Sequence, residues 1–212
     1  MNVYDLYYEL AMENYFVNRK NREYNMSSLD HAPGKNLLFI TGLSGGGKST
    51  LAREKAKELE PSMLISLDTI QHNEQLYDGS MELNEGDIYV QNWINKNFGG
   101  VHPFRKDGKL DWNEFRSAIE QFIYDVRRFA KTTDKIIIVE GLQLGTYRDF
   151  VYSTDPLIVV GTSIRTAAKR ATKRDEGKDY FSGKKSYMKF RIDSNKRIDK
   201  EIKDLEKKMK RK

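Results

Sequence analysis

Eight consecutive residues, Gly42-Leu43-Ser44-Gly45-Gly46-Gly47-Lys48-Ser49, meet the spacing G-x-x-x-x-G-K-[ST]. Glycines let a chain curl until several backbone N–H groups converge on phosphate oxygens, with no side chains to obstruct them. A lysine at the end of such a loop brings positive charge to the β- and γ-phosphates, and the hydroxyl after it can ligate Mg²⁺. The residues expected to hold the phosphates of ATP are therefore Gly42, Leu43, Ser44, Gly45, Gly46, Gly47, Lys48, Ser49 and Thr50, with Lys48 also acting on the transferred group. A glycine-rich turn from strand to helix can exist without a nucleotide. Here Lys and Ser fall in register, an apolar run precedes the loop and helix-forming residues follow it.

Two carboxylates and a basic segment extend the set. Asp68 ends the run Ile65-Ser66-Leu67, where it could orient or deprotonate an attacking hydroxyl and help hold Mg²⁺; the same position would also suit a helix N-cap. Glu140 follows Ile136-Ile137-Ile138-Val139, so it is expected at the tip of a buried strand, facing a cleft, where it would serve the metal or steady the acceptor. Ser49, Asp68 and Glu140 form the expected metal set. Between Ile164 and Asp175, Lys169, Arg170, Lys173 and Arg174 repeat at helical spacing. Such cations repel one another. Phosphate lying against them would offset that cost, which makes Arg170 and Arg174 candidates for stabilising charge during transfer; a solvated basic face is the alternative. His31, His72 and His102 are too scattered to suggest a metal site, although His72 could line an acceptor pocket.

These residues need a scaffold that brings strand ends together. Residues 37–41, 63–67, 135–139 and 157–160 are short apolar runs, each followed by polar residues or glycine, and helical stretches alternate with them. That alternation predicts an α/β fold of the P-loop NTPase kind: one domain over 1–212, with a parallel sheet and helices on both faces. Residues 1–35 read as an N-terminal helical extension, amphipathic over 3–16, with a polar connector over 19–35. Residues 71–133 read as a helical insertion on the acceptor side. Within it, Trp112, Phe115, Ile119, Phe122, Ile123, Val126 and Phe129 share one helix face. Residues 162–180 form the expected lid. Over 186–212 a last helix carries Ile198, Ile202, Leu205 and Met209 on one stripe, to be docked or used to bind a partner, so an oligomer through the terminal helices is conceivable.

Charge and composition narrow the classes. From Gly161 onward there are 19 Lys and Arg against 8 Asp and Glu, whereas the first 160 residues carry 18 against 23. An acidic main body disfavours a nucleic-acid-binding module, and the basic quarter suits a phosphate-clamping lid followed by a solvated helix. Cysteine is absent, which excludes disulfides and thiolate chemistry. No apolar run approaches the roughly 20 residues of a membrane span, and the first residues lack a signal pattern, so the cytoplasm is the expected location and no membrane is expected as a partner.

The order of phosphate loop, strand ending in Asp, strand ending in Glu-Gly and helix ending in Lys173-Arg174-Asp175 resembles the uridine kinase and related nucleoside-kinase branch of the P-loop kinases. The stretch Thr41 to Thr50 is also similar to the loop of adenylylsulfate kinases. The likeness covers roughly residues 36–70 and 135–178, with no recognisable acceptor pocket in 71–133 and no convincing fifth strand after the lid. It implies transfer of the γ-phosphoryl group of ATP, with Mg²⁺, to a hydroxyl of a small, nucleoside-like molecule. A zeta-toxin-like sugar-nucleotide kinase and a polynucleotide 5′-hydroxyl kinase stay open on the same fold, with nucleic acid a less favoured acceptor. From another class, an ATP-binding regulatory or assembly protein could use slow hydrolysis as a switch.

Overall fold

In the computed structural model, residues 20–79, 82–100, 105–106, 109–178 and 183–211 are described. In chain order the elements are β1 (Arg22–Tyr24), β2 (Leu37–Thr41), α1 (Lys48–Glu58), β3 (Ser62–Ser66), α2 (Leu67–Gln71), α3 (Glu85–Phe98), β4 (Arg105–Lys106), β5 (Lys109–Leu110), α4 (Trp112–Phe129), β6 (Ile136–Glu140), α5 (Gln143–Thr146), β7 (Leu157–Val159), α6 (Ile164–Asp175) and α7 (Lys184–Met209). The expected helix over 3–16 and His102 lie outside the described residues.

The five-stranded sheet runs β1-β7-β2-β6-β3. Strands β7, β2, β6 and β3 are mutually parallel, and β1 joins the edge antiparallel to β7. All residues of β2 and β6 are buried, as two-sided coverage requires. Leu37, Phe39, Ile137 and Val139 face a large core shared with α3, α4 and α7, while Leu38, Ile40, Ile136 and Ile138 face a smaller one under α1. Period-two alternation along each strand divides its apolar residues between the two layers. At about 1.5–3 kcal/mol for each fully buried large side chain, this double layer is the main source of stability. Both loops at the C-terminal ends of β2 and β6 are thereby fixed side by side.

The structure corrects the reading of residues 19–35 as a plain connector: they contain β1, which occupies the fifth strand position sought after the lid. Three polar or aromatic residues, Arg22-Glu23-Tyr24, carry no apolar signal because an edge strand need not be buried on both faces. Instead, Arg22 and the Tyr24 hydroxyl bond the Glu206 carboxylate of α7. In the insertion, α3 begins with a capping box, Asn84 accepting from the Asp87 amide at 3.1 Å while Asp87 accepts from the Asn84 amide at 3.2 Å. Helix α4 buries Phe115, Ile119, Phe122, Ile123 and Val126, but Trp112, expected on the same face, is 60% exposed. It occupies the first turn, beyond the edge of the core.

Helix α7 lays Ile198, Ile202, Leu205 and Met209 into the core of its own domain, so that stripe is already covered within the chain. No helix among the described residues is long and apolar enough to cross a membrane.

Candidate functional site

The loop between β2 and α1 turns back on itself through Gly45 at φ 79° and Gly47 at φ 96°, a left-handed region open at little cost only to glycine. Gly45 also lies directly against α6. A Cβ there would fall 2.3 Å from the Ala167 carbonyl oxygen and 2.9 Å from the Ala171 nitrogen. Buried alanines on that side of α6 permit this approach. Over 164–175 the segment expected as a lid packs against the loop and forms a wall of the site. Gly45→Ala is expected to lower stability by at least about 1–3 kcal/mol, through strain and forced separation of loop and helix, measured as a fall in melting temperature. Unchanged stability would mean that this packing is absent in solution.

Loop and helix border a cleft of about 1380 Å³. Ser44, Gly45, Gly46, Gly47, Lys48, Ser49 and Thr50 line its floor. Gly42 and Leu43 do not: the Leu43 side chain is buried in the core, and its carbonyl accepts from Lys48 Nζ at 3.2 Å. Burial lowers the proton affinity of Lys48, against the opposing pull of Glu140 and Asp68. Thr162 holds the loop from the β7 side, its hydroxyl donating to the Gly46 carbonyl at 2.6 Å.

Glu140 ends β6 beneath the loop. Its Oε1 accepts from the Ser49 hydroxyl at 3.0 Å and the Ser66 hydroxyl at 2.7 Å. Oε2 is enclosed and has no hydrogen-bond partner among the described residues. Burial raises the proton affinity of this carboxyl, with Lys48 and the Ser66 bond pulling the other way. Asp68 lines the opposite wall. It lies in the first turn of α2 and not at its N-cap, a position held by Ser66 without a side-chain cap bond, so the capping role considered for Asp68 is not one it takes. Gln143 Nε2 donates to Asp68 Oδ1 at 3.2 Å, holding an otherwise exposed carboxylate. Gln71, His72, Gln75 and Leu142 continue this wall.

The facing wall is cationic. Arg170, Arg174, Lys178 and Arg191 border the cleft. An Arg170 guanidinium nitrogen would lie 3.9 Å from a Cβ built on Gly47, which places it over the loop. Lys169 and Lys173, equally basic in sequence, are exposed and do not line the cleft. Behind this wall Asp175 is fully enclosed. It accepts from Arg174 Nε at 2.9 Å, Lys178 Nζ at 3.1 Å and the Tyr187 hydroxyl at 2.9 Å, and from Arg191. Burial by itself would raise its pKa, but the bonds from Arg174, Tyr187 and Lys178 outweigh it and hold the carboxyl well below the usual carboxylate range. A depressed folded-state pKa contributes stability that is complete above the unfolded value near 3.9 and is lost as pH falls below it. Asp175→Asn is accordingly expected to cost about 3–5 kcal/mol at pH 7, because it leaves Arg191 without its counter-charge. The difference from wild type should shrink in denaturant titrations taken toward pH 3, and a pH-independent difference would contradict this account.

Sequence reasoning singled out Lys48, Ser49, Asp68, Glu140, Arg170 and Arg174; the fold brings five of them to the lining of one cleft, while Glu140, expected to face it, is buried beneath the loop and bonded to Ser49. That reasoning did not find Ser66, Gln143, Thr162, Arg191 or Asn195. For the last two a signal existed. The α7 stripe continues backward from Ile198 through Asn195, Arg191 and Tyr187 at helical spacing, so its polar members share the inward face. No protein-family model matches the chain, and no curated protein matches it. Among solved structures, one described as the structure of the Pnkp1/Rnl/Hen1 RNA repair complex aligns at 14% identity and a TM-score of 0.41. The alignment covers 77% of this chain and 45% of that one, so the chain spans less than half the length of the structure it matches.

Proposed function

We propose that the chain is an ATP-dependent phosphotransferase of the P-loop kind. The single observation that carries this reading is the composition of one cleft: a glycine-rich loop with Lys48 on its floor, Asp68 on one wall and Arg170 with Arg174 on the other. Loop amides and Lys48 would receive the β- and γ-phosphates. Asp68 would take the proton of an acceptor hydroxyl as its oxygen bonds to the γ-phosphorus; the bond from that phosphorus to the β–γ bridging oxygen breaks, and ADP leaves. Arg170 and Arg174 would offset the charge spread over the migrating group.

The donor set suits Mg²⁺ that arrives with the nucleotide. Among the described residues no three His, Cys, Asp or Glu converge as a metal cage. Mg²⁺ commonly uses one or two protein ligands plus substrate phosphates and waters, and the Ser49 hydroxyl, the unpartnered Glu140 Oε2 and Asp68 are the groups that would serve it. A metal held by these groups would supply positive charge against that of the phosphates.

A nucleoside-like acceptor fits the polar wall of Gln71, His72 and Gln75 beside Leu142, which offers hydrogen bonds along with one apolar surface. The test is a phosphotransfer screen with γ-labelled ATP over nucleosides, sugar nucleotides and 5′-hydroxyl oligonucleotides. Label in a nucleoside supports the full reading; label in either other class keeps the reaction and replaces the acceptor. Slow hydrolysis indifferent to every hydroxyl compound would instead identify a nucleotide switch.

A further inference from the structure

We propose that Asn195, on the C-terminal helix, is a positioning residue for the nucleotide site: it holds the phosphate loop in its binding shape before any ligand arrives. This rests on the nucleotide reading above and extends the site to an element outside the loop motif.

Three adjacent glycines make the loop costly to order, since glycine loses more backbone freedom on folding than any other residue. Residues outside the loop must supply the restraint. Ser44 immediately precedes those glycines, and its backbone is held on both sides by a single side chain. Its N–H donates to Asn195 Oδ1 at 3.1 Å, and its carbonyl accepts from Asn195 Nδ2 at 3.2 Å. Those two groups belong to the successive peptide planes flanking Ser44, so one carboxamide fixes both. Only Asn and Gln carry an amide that offers donor and acceptor side by side.

Asn195 is fully buried, 0% exposed, on the inward face of α7 that also buries Ile198, Ile202, Leu205 and Met209. An enclosed amide without partners costs free energy, and both bonds here go to the loop. The helix has other anchors: Ile198, Ile202, Leu205 and Met209 in the core, and Tyr187 on Asp175. One turn before Asn195, Arg191 borders the cleft with Nη1 3.5 Å from the Ser44 hydroxyl, and its enclosed Nε has no hydrogen-bond partner among the described residues. The same face of α7 thus reaches the back of the loop at one position and the cleft at the next.

Removing the clamp leaves a buried N–H and C=O unpaired and lets the loop leave its binding shape. When only a fraction of molecules is competent, apparent Kd rises by the inverse of that fraction. Calorimetric titration with Mg²⁺-ATP is expected to show Kd raised about tenfold or more in Asn195→Ala, with stoichiometry unchanged. Asn195→Asp, which keeps the acceptor and loses the donor, should move in the same direction. Leu205→Ala, a buried change elsewhere on α7, is the control for general loosening: it should lower the melting temperature while leaving Kd within about twofold. Hydrogen exchange on the wild type is the second measurement, with the Ser44 amide expected to be as protected as the amides of α7. Either Kd in the Asn195 variants within twofold of wild type, or fast exchange at Ser44 beside a protected α7, overturns the proposal. A wild type that fails to bind Mg²⁺-ATP would overturn the nucleotide reading and this inference with it.

Discussion

Lys48→Ala is expected to abolish saturable Mg²⁺-ATP binding in the accessible concentration range and to reduce phosphotransfer by about a thousandfold or more. The size follows from where the charge lies. Lys48 is a buried residue of the cleft floor, its ammonium held by the Leu43 carbonyl, in surroundings where a cation interacts with phosphate more strongly than it would in water. Burial also disfavours its charge, so the folded state gains little from it. The melting temperature of Lys48→Ala should accordingly stay within a few degrees of wild type. Lost binding with an intact fold would separate this lysine from ordinary core residues, whose truncation costs about 2–5 kcal/mol of stability. Retained binding would remove the loop from the nucleotide site.

Asp68→Asn carries the other large effect: transfer to the acceptor is expected to fall by about 10²- to 10⁴-fold, with Kd for Mg²⁺-ATP changed by less than about threefold. The substitution is nearly isosteric, and the amide oxygen can still accept from Gln143 Nε2, so the wall keeps its shape while the proton acceptor is lost. Asp68 is exposed in the first turn of α2, which makes a large loss of stability unexpected. Single-turnover measurements separate the two steps. If transfer is unchanged, Asp68 has no part in proton removal; if ATP affinity falls as far as transfer does, Asp68 acts through the metal or the nucleotide instead.

Much of this arrangement could be read along the chain. The loop, its flanking strand and helix, and the apolar runs of β6 and β7 are local patterns, and local patterns suffice where burial on both faces demands continuous apolar sequence. Glu140 followed because a charge that ends such a run must emerge at the sheet's C-terminal edge. The tail stripe likewise named its buried residues correctly. Strand β1 was illegible because an edge strand of three residues needs no apolar signature; its place was decided by the free edge of β7 and by Glu206, 182 residues beyond Tyr24.

Pairings between distant residues lay beyond any local reading. Which basic residues of 164–175 face the cleft was decided by the approach of Gly45 to α6: it turns Arg170 and Arg174 inward and leaves Lys169 and Lys173 outside. That Asp175 is enclosed by four donors, that Gln143 holds Asp68, and that Asn195 clamps the Ser44 backbone all depend on groups meeting across 12, 75 and 151 positions of sequence, as Tyr187 with Asp175, Gln143 with Asp68, and Asn195 with Ser44 do. Hydrophobic periodicity records which face of an element is buried, because burial is non-directional and summed over many residues. A hydrogen bond is a directional contact between two particular groups, so its partner is set only when the layers have packed.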